Sequence, residues 1–310
     1  MAGWLDITGV GGPATVQDAG RPGQMHHGVP PGGALVPELL ALANRAVGNA
    51  WGLAALEAFG RLELRVRGRG ARISVDGRTF SVAEGDALTV PAPESMSVRY
   101  VAVEGGLAVP EVLGGRGTLL VARLGGHEGR ALRAGDALPL GDALPLGDAL
   151  PLGDALPLAE GGGTRRALEP DIALDATAPI RVTLGPDLER FNAATRAALL
   201  DGTFTVSPAS DRVGMRLRGP ALAHGDEGAG TSRPMVRGAI QVTLSGEPIV
   251  LGPDHPTTGG YPLIAAVIRA DWGRLCARRP GAPVRFQAVT PAEAREAWRQ
   301  HVARFRSAPR

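Results

Sequence analysis

The 310 residues include a single cysteine, Cys276. That excludes an internal disulfide and any zinc site built from several thiolates. The segment Asp271-Trp-Gly-Arg-Leu-Cys276 is short and apolar on one face, so we read the thiol as buried and structural. No stretch reaches the roughly 18 apolar residues of a membrane span. The N-terminal MAGWLDITG has neither the basic region nor the apolar run of a secretory signal. A soluble, cytoplasmic protein is the expectation, with no membrane partner. An excess of one charge is also missing, since the formal net charge is only +2. Arginine far outnumbers lysine, which is absent, and with abundant alanine and glycine this reads as compositional bias. The basic run Arg65, Arg67, Arg69 and Arg72 alternates with Leu64, Val66 and Ile73, so it predicts a strand and turn with a solvated face, not a nucleic-acid surface. No G-x-x-x-x-G-K-[ST] phosphate loop, H-E-x-x-H or G-x-S-x-G signature occurs.

Glycine (45) and proline (26) are plentiful, which favours many short strands and turns over long helices. A hydrophobic content of 44% supports a core, and the length allows one large or two ordinary domains. The hexapeptide GDALPL occurs four times in succession over 135–158. A proline and a glycine in every six residues exclude a helix, and four short copies are too few for a solenoid. We read one native loop-to-strand turn followed by extra copies that lengthen a surface connection, which costs little free energy.

Alternation and turn signals predict strands at 5–10, 62–66, 71–75, 79–82, 86–90, 98–103 and 118–122. Asp76-Gly77 marks a hairpin. A helix is expected over 35–47, with Pro37 and Glu38 in its first turn and Gly48-Asn49 at its end. A short turn or helix is expected over 51–57. The second half predicts strands at 180–184, 204–206, 215–217, 240–242 and 249–251. Apolar strands or short helical pieces follow at 261–269 and 284–289. Helices are expected over 187–200 and 291–305. The expected division is a first domain over 1–158, ending in the repeat, a linker over 159–179, a second domain over 180–290, and a C-terminal helix and tail over 291–310.

Four polar islands could carry chemistry. In the first, Gln17, Asp18 and Arg21 lie between glycines that allow close backbone approach. Arg21 could grip an anion through its guanidinium fork, or pair with Asp18 to fix the loop. The second holds His26 and His27, a poor metal pair because neighbouring strand residues face opposite ways. The third is Ser210-Asp211-Arg212, either a ligand clamp or a turn in which Ser210 and Asp211 cap backbone amides. The fourth, residues 253–262, gathers Asp254, His255, Thr257, Thr258, Gly259, Gly260 and Tyr261 in a density unusual for a purely structural loop. Gln241, on the strand before it, could aim its amide at the same place.

The stretches TVQDAGRPG, ALANRAVGN, AALE, LGGHEGRALRAGDAL, SDRVGMRLRGP, RGAIQV, GEPIVL and DHPTTGGYPLIAAVIRADW follow one another between Trp4 and Val289. In that order they resemble the carboxyltransferase-type family of the urea amidolyase C-terminal region. This family includes the C subunit of ATP-dependent 5-oxoprolinase and the kinase-inhibitor-antagonist proteins. The resemblance implies a mainly β fold with a few helices, as two cyclophilin-like β-barrel domains in tandem around a cleft. It implies an ATP-dependent hydrolase acting on the lactam 5-oxoproline together with separate A and B subunits, with ATP and Mg²⁺ as cofactors. The alternatives it carries are carboxyl transfer from carboxybiotin to urea or another amide-like acceptor, and a non-catalytic partner of a kinase-inhibitor-like B subunit. No biotinyl-lysine sequence is present, so biotin would arrive on another protein.

The residues that match family motifs are Gln17, Asp18, Arg21, Asn44, Glu57, Ser210, Asp211, Arg212, Gln241, Thr257, Thr258, Gly259, Gly260 and Tyr261. From the match, Gln17, Asp18, Arg21, Asp211, Arg212 and Tyr261 are expected to act in catalysis. Ser210, Gln241, Thr257, Thr258, Gly259 and Gly260 are expected to bind the ligand. Arg21 and Arg212 would bind anions, Asp18 or Asp211 would hold Mg²⁺ or orient water, and no other metal ligand is assigned. The chain departs from the family at Gly32-Gly-Ala-Leu-Val36, where a carboxylate is usual, and at His255-Pro256, where a pair ending in Gln is typical.

Overall fold

The computed structural model describes residues 3–142, 156–157, 177–224 and 230–307. The chain divides into two compact units. One comprises Met1–Pro22 and Gly32–Ala173, the other Gly23–Pro31 and Leu174–Arg310.

The first unit is built from two sheets. A four-stranded sheet runs in the order Ala87–Val90, Leu62–Arg67, Trp4–Val10, Ala137–Pro139, every neighbour antiparallel. In Leu62–Arg67 the leucines and Val66 are buried and the charged residues between them point outward, as the alternation predicts. A six-stranded sheet runs Leu156–Pro157, Arg78–Val82, Ala71–Val75, Arg99–Val103, Ala55–Ala58, Ala14–Gln17. Leu5, Ile7 and Leu64 from one sheet and Val16, Leu56, Ile73 and Val101 from the other join a single buried cluster. Each such side chain contributes about 1.5–3 kcal/mol by leaving water. The hairpin forms at Asp76-Gly77, both with positive φ (49° and 91°).

The helix Pro37–Arg45 starts on its proline and buries Leu39, Leu40 and Ala43. Asn44 donates from Nδ2 to the Leu53 carbonyl (2.8 Å), tying the helix end to the turn before the strand Ala55–Ala58. The loop before the helix is held from below. Glu57 Oε2 accepts from Leu35 N–H (2.8 Å) and from the Tyr100 hydroxyl, which in turn accepts from Val36 N–H (3.0 Å). The first GDALPL copy forms the expected turn and strand, as Ala137–Pro139 pairs with Trp4–Asp6. Apart from 141–142 and 156–157, the further copies lie outside the described residues.

The second unit holds an eight-stranded sheet. Its order is Pro283–Val284, Phe204–Val206, Gly214–Arg218, Pro248–Leu251, Ala239–Val242, Leu263–Val267, Ile180–Leu184, Phe286–Ala288. The two edge strands are separated in sequence by Arg285 alone, so the sheet curls until its edges are neighbours and a nearly closed barrel results. A two-stranded ribbon, Arg233–Pro234 with Thr258–Gly259, stands beside it. The C-terminal helix Pro291–Ser307 opens with reciprocal capping: Thr290 N–H donates to Glu293 Oε2 (2.7 Å) and Glu293 N–H to Thr290 Oγ1 (3.2 Å).

The structure corrects four expectations. Only the second unit forms a barrel. The first keeps two open sheets of four and six strands, because its strands are divided between separate hydrogen-bonded sets. Residues 55–57 of the expected turn or helix belong to the strand Ala55–Ala58, buried throughout. Residues 120–122 form a 3₁₀ turn with Leu120 and Val121 exposed, not a strand, because the chain reverses at Arg123 (φ 49°). The expected helix over 187–200 is a 3₁₀ turn, Leu188–Arg190, followed by the helix Ala193–Asp201. Asn192 makes the break by turning its Oδ1 to cap Thr195 N–H (2.8 Å).

Candidate functional site

The first island sits at the end of the strand Ala14–Gln17, and its side chains converge on the loop 112–118. Gln17 Nε2 donates to the Thr118 carbonyl (3.0 Å) and to Thr15 Oγ1 (3.1 Å). Asp18 accepts from Gly20 N–H at Oδ1 (2.8 Å) and from Arg116 N–H at Oδ2 (2.6 Å). Arg21 is 1% exposed and donates from Nε to the Val112 carbonyl (3.3 Å) and from Nη2 to the Gly117 carbonyl. A side chain at Gly117 would come within 2.8 Å of Gln17 Oε1 and 2.9 Å of Asp18 Oδ1, which explains the glycine. All three side chains thus hold backbone. Gln17 Oε1 is left buried without a hydrogen-bond partner among the described residues.

In the second unit the third and fourth islands meet. Arg212 Nε and Nη2 donate to Asp254 Oδ2 and Oδ1 (2.8 and 3.0 Å), a buried two-pronged pair. The backbones join as well: Asp254 N–H donates to the Arg212 carbonyl (3.0 Å) and Gly252 N–H to the Val213 carbonyl (2.8 Å). Ser210 Oγ accepts from Arg216 N–H (3.1 Å), and Asp211 Oδ1 accepts from Val213 and Gly214 N–H (2.9 and 3.0 Å). This is the turn in which both side chains cap amides. Arg212 and Asp254 each belong to a polar island, but their pairing across 42 positions carries no sequence signal.

His255 is 1% exposed. Its Nδ1 lies 2.8 Å from the Pro256 carbonyl, which places the proton on Nδ1 and leaves Nε2 a lone pair, buried and without a hydrogen-bond partner among the described residues. Burial pushes the imidazole's pKa down, and the nearby Arg237 charge adds to this against the Pro256 hydrogen bond. Beyond it, Thr258, Gly259, Gly260 and Tyr261 turn toward solvent, with Tyr261 37% exposed. Met235 N–H donates to the Thr257 carbonyl (2.9 Å) and Gly230 N–H to the Gly260 carbonyl (2.8 Å). Buried Gln241 lies over Gly259: a Cβ there would stand 2.8 Å from Gln241 Nε2 and 3.2 Å from Met235 Cγ. The Gln241 amide donates only weakly to Met235 Sδ (3.5 Å). The structure therefore brings Gln241 against Gly259 in the 257–261 loop, which follows shortly on Asp254, the partner of Arg212.

The carboxylates assigned to Mg²⁺ are engaged by backbone amides. Both Asp18 oxygens are taken by N–H donors, Asp211 Oδ1 by two more, and among the described residues no three of His, Cys, Asp and Glu cluster. Among the described residues no helix is long and apolar enough to cross a membrane.

The chain is similar to known proteins. Residues 27–288 match the model of the carboxyltransferase domain, subdomains A and B. The chain is 33% identical to the C subunit of 5-oxoprolinase from Escherichia coli, covering 97% of this chain and 96% of that protein. It is 30% identical to the urea amidolyase of Lachancea kluyveri, covering 94% of this chain but 17% of that protein. The solved urea amidolyase of K. lactis superposes with a TM-score of 0.80 at 26% identity over 97% of this chain and 20% of that one. The present chain thus spans about a fifth of the urea amidolyases and nearly all of the 5-oxoprolinase relative. With the third and fourth islands both inside the matched span, the chain belongs to the carboxyltransferase domain family.

Proposed function

We propose that this chain is a carboxyltransferase-type enzyme component that binds a small amide-like acceptor at residues 257–261. The observation that carries this is Gln241 over Gly259. A primary amide, two adjacent glycines and the hydroxyls of Thr258 and Tyr261 offer neutral donors and acceptors in one place, the complement of an amide or ureido group. Carboxylating such a nitrogen would form its N–C bond as the N–C bond of carboxybiotin breaks, and the acceptor's proton would pass to the departing ureido nitrogen, so the site must hold the acceptor in one orientation while that proton moves. Carboxybiotin supplies the carboxyl group on this reading. These 310 residues contain no lysine, so the biotin carrier lies outside them.

A second reading makes the chain the C subunit of an ATP-dependent 5-oxoprolinase that works with separate A and B subunits. It is favoured by the length match, 96% of that relative against 17% of the urea amidolyase. Opening the lactam adds water across a resonance-stabilised amide, and ATP hydrolysis drives it. On either reading we take Gln17, Asp18, Arg21, Ser210 and Asp211 to position backbone and Arg212 to hold Asp254, none of them touching the acceptor. The cyclophilin-like description of the second unit, the boundaries 1–158, 159–179, 180–290 and 291–310, and the need for partner chains belong to the same proposal.

The test reconstitutes the chain with homologues of the A and B subunits. One arm follows glutamate and ADP release from 5-oxoproline. The other follows bicarbonate-dependent carboxylation of urea with a biotinylated carrier. Equal glutamate and ADP release that needs every chain selects the hydrolase, and carboxylated urea selects the transferase. A well-formed complex inert in both arms refutes the enzymatic proposal and leaves the regulatory role.

A further inference from the structure

Asp187 follows the strand Ile180–Leu184 and has no part in the site described so far. Its backbone N–H donates to the Leu263 carbonyl (3.3 Å), and two residues earlier Gly185 N–H donates to the Ile264 carbonyl (2.8 Å). The carboxylate then reaches further. Its Oδ2 accepts from Leu263 N–H (2.7 Å) and from the Arg233 guanidinium. Arg233 pairs with Gly259 in the ribbon, and Pro234 with Thr258. One oxygen atom therefore grips both arms of the loop 258–262: the departing arm directly at Leu263, the entering arm through Arg233. Its side chain is 14% exposed, so the contact is largely shielded from water.

Chain economy makes this grip matter. A two-residue ribbon is too short to be stable on its own. Two consecutive glycines lose more freedom on ordering than any other pair. The loop is rigid only if something outside it fixes both ends, and Asp187 does so at the point where a binding site needs its atoms held to within a fraction of an ångström. We propose that Asp187 is a positioning residue. It sets the Thr258-Gly-Gly-Tyr261 loop in its binding geometry without touching the acceptor, and Arg233 is its lever. This rests on the reading that residues 257–261 take the acceptor.

The experiment compares Asp187→Asn with Gly259→Ala in the reconstituted complex, using 5-oxoproline or urea, whichever it turns over, and measures amide hydrogen exchange over 257–263. Asp187→Asn is expected to speed exchange at Leu263 and across the loop. It is expected to raise KM roughly 10- to 100-fold, with a smaller change in kcat. Asp187→Glu is expected to recover part of the loss. Unchanged exchange overturns the clasp. Faster exchange with unchanged KM, while Gly259→Ala abolishes turnover, overturns the positioning role and leaves the acceptor site standing. If neither variant alters turnover, the acceptor site itself is wrong and the proposal falls with it. Should Asp187→Asn fail to fold, Arg233→Lys, which keeps the charge and shortens the reach, is read by the same criteria.

Discussion

Asp136, in the first repeat copy, permits a sharp prediction. It is 6% exposed, and its carboxylate meets Arg130 Nη1 and Nη2 at 2.8 Å each, Arg133 N–H at 2.9 Å, His127 at 3.4 Å and Arg133 Nε at 3.7 Å. Burial alone would push its carboxyl up. The Arg130 fork, the Arg133 amide and the His127 charge outweigh that and hold it at about 2, against an ordinary 3.8. At ~1.4 kcal/mol per unit, the shift is worth about 2 kcal/mol of folding stability. The carboxylate is depressed, so this stability is fully present above the ordinary value and disappears as pH falls toward 2. Asp136→Asn removes the titrating group while keeping its size. Urea unfolding of the full chain, monitored through the first unit's Trp4 and Trp51, should show the variant weaker at pH 7 by about 2 kcal/mol or more. The gap between the proteins should shrink by about 1 kcal/mol by pH 3 and by about 1.5 kcal/mol by pH 2.5. A gap that stays constant from pH 7 to 2.5 refutes the reasoning, because the network would then contribute nothing linked to that proton.

Other perturbations separate anchoring from contact. Arg212→Met leaves Asp254 buried without its guanidinium and should cost about 3–5 kcal/mol, while the double change Arg212→Met, Asp254→Leu should regain most of it in chemical denaturation. If the double variant is no more stable than the single, the pair is not the anchor argued above. Gly259→Ala places a methyl 2.8 Å from the far end of Gln241. The flexible amide can move aside, so the melting transition should stay within about 1 kcal/mol while turnover falls. Full turnover would remove Gln241 from the site. His255→Gln should flatten the acid limb of stability. A depressed imidazole stabilises the fold above its ordinary pKa of about 6.5 and loses that as pH falls. Identical pH profiles for the two proteins would contradict the buried neutral ring.

What the sequence exposed was whatever depends on near neighbours. Leu62, Leu64 and Val66 announce their strand by alternation, Asp76-Gly77 its hairpin by backbone freedom, and Pro37 with Gly48 the limits of the first helix. The second unit's barrel was expected from the family resemblance alone; no local pattern shows its closure, because the strands Pro283–Val284 and Phe286–Ala288 are two and three residues long. The run Thr118–Ala122 looked like a strand because its composition is right, yet Thr118 spends both N–H and hydroxyl on the Val16 carbonyl and the chain then turns away.

The islands were found, but the division of labour within them was hidden. Arg212 and Asp254 each resemble a charge awaiting a ligand, and only the fold shows that each awaits the other. The same holds for Arg21 on its loop carbonyls, while Asp187 and Arg233 lie outside every island and show their pairing only in the fold. A fixed charge close to a neutral amide would compete with solvent and with the reacting dipole, whereas a charge spent on the backbone costs the reaction nothing and keeps neutral donors aligned. On the proposed reading, the charged residues of this chain build the site and the neutral ones, Gln241 and Thr258 to Tyr261, meet the acceptor. A polar cluster in a sequence of this kind therefore points to the place of chemistry more reliably than to the residues that perform it.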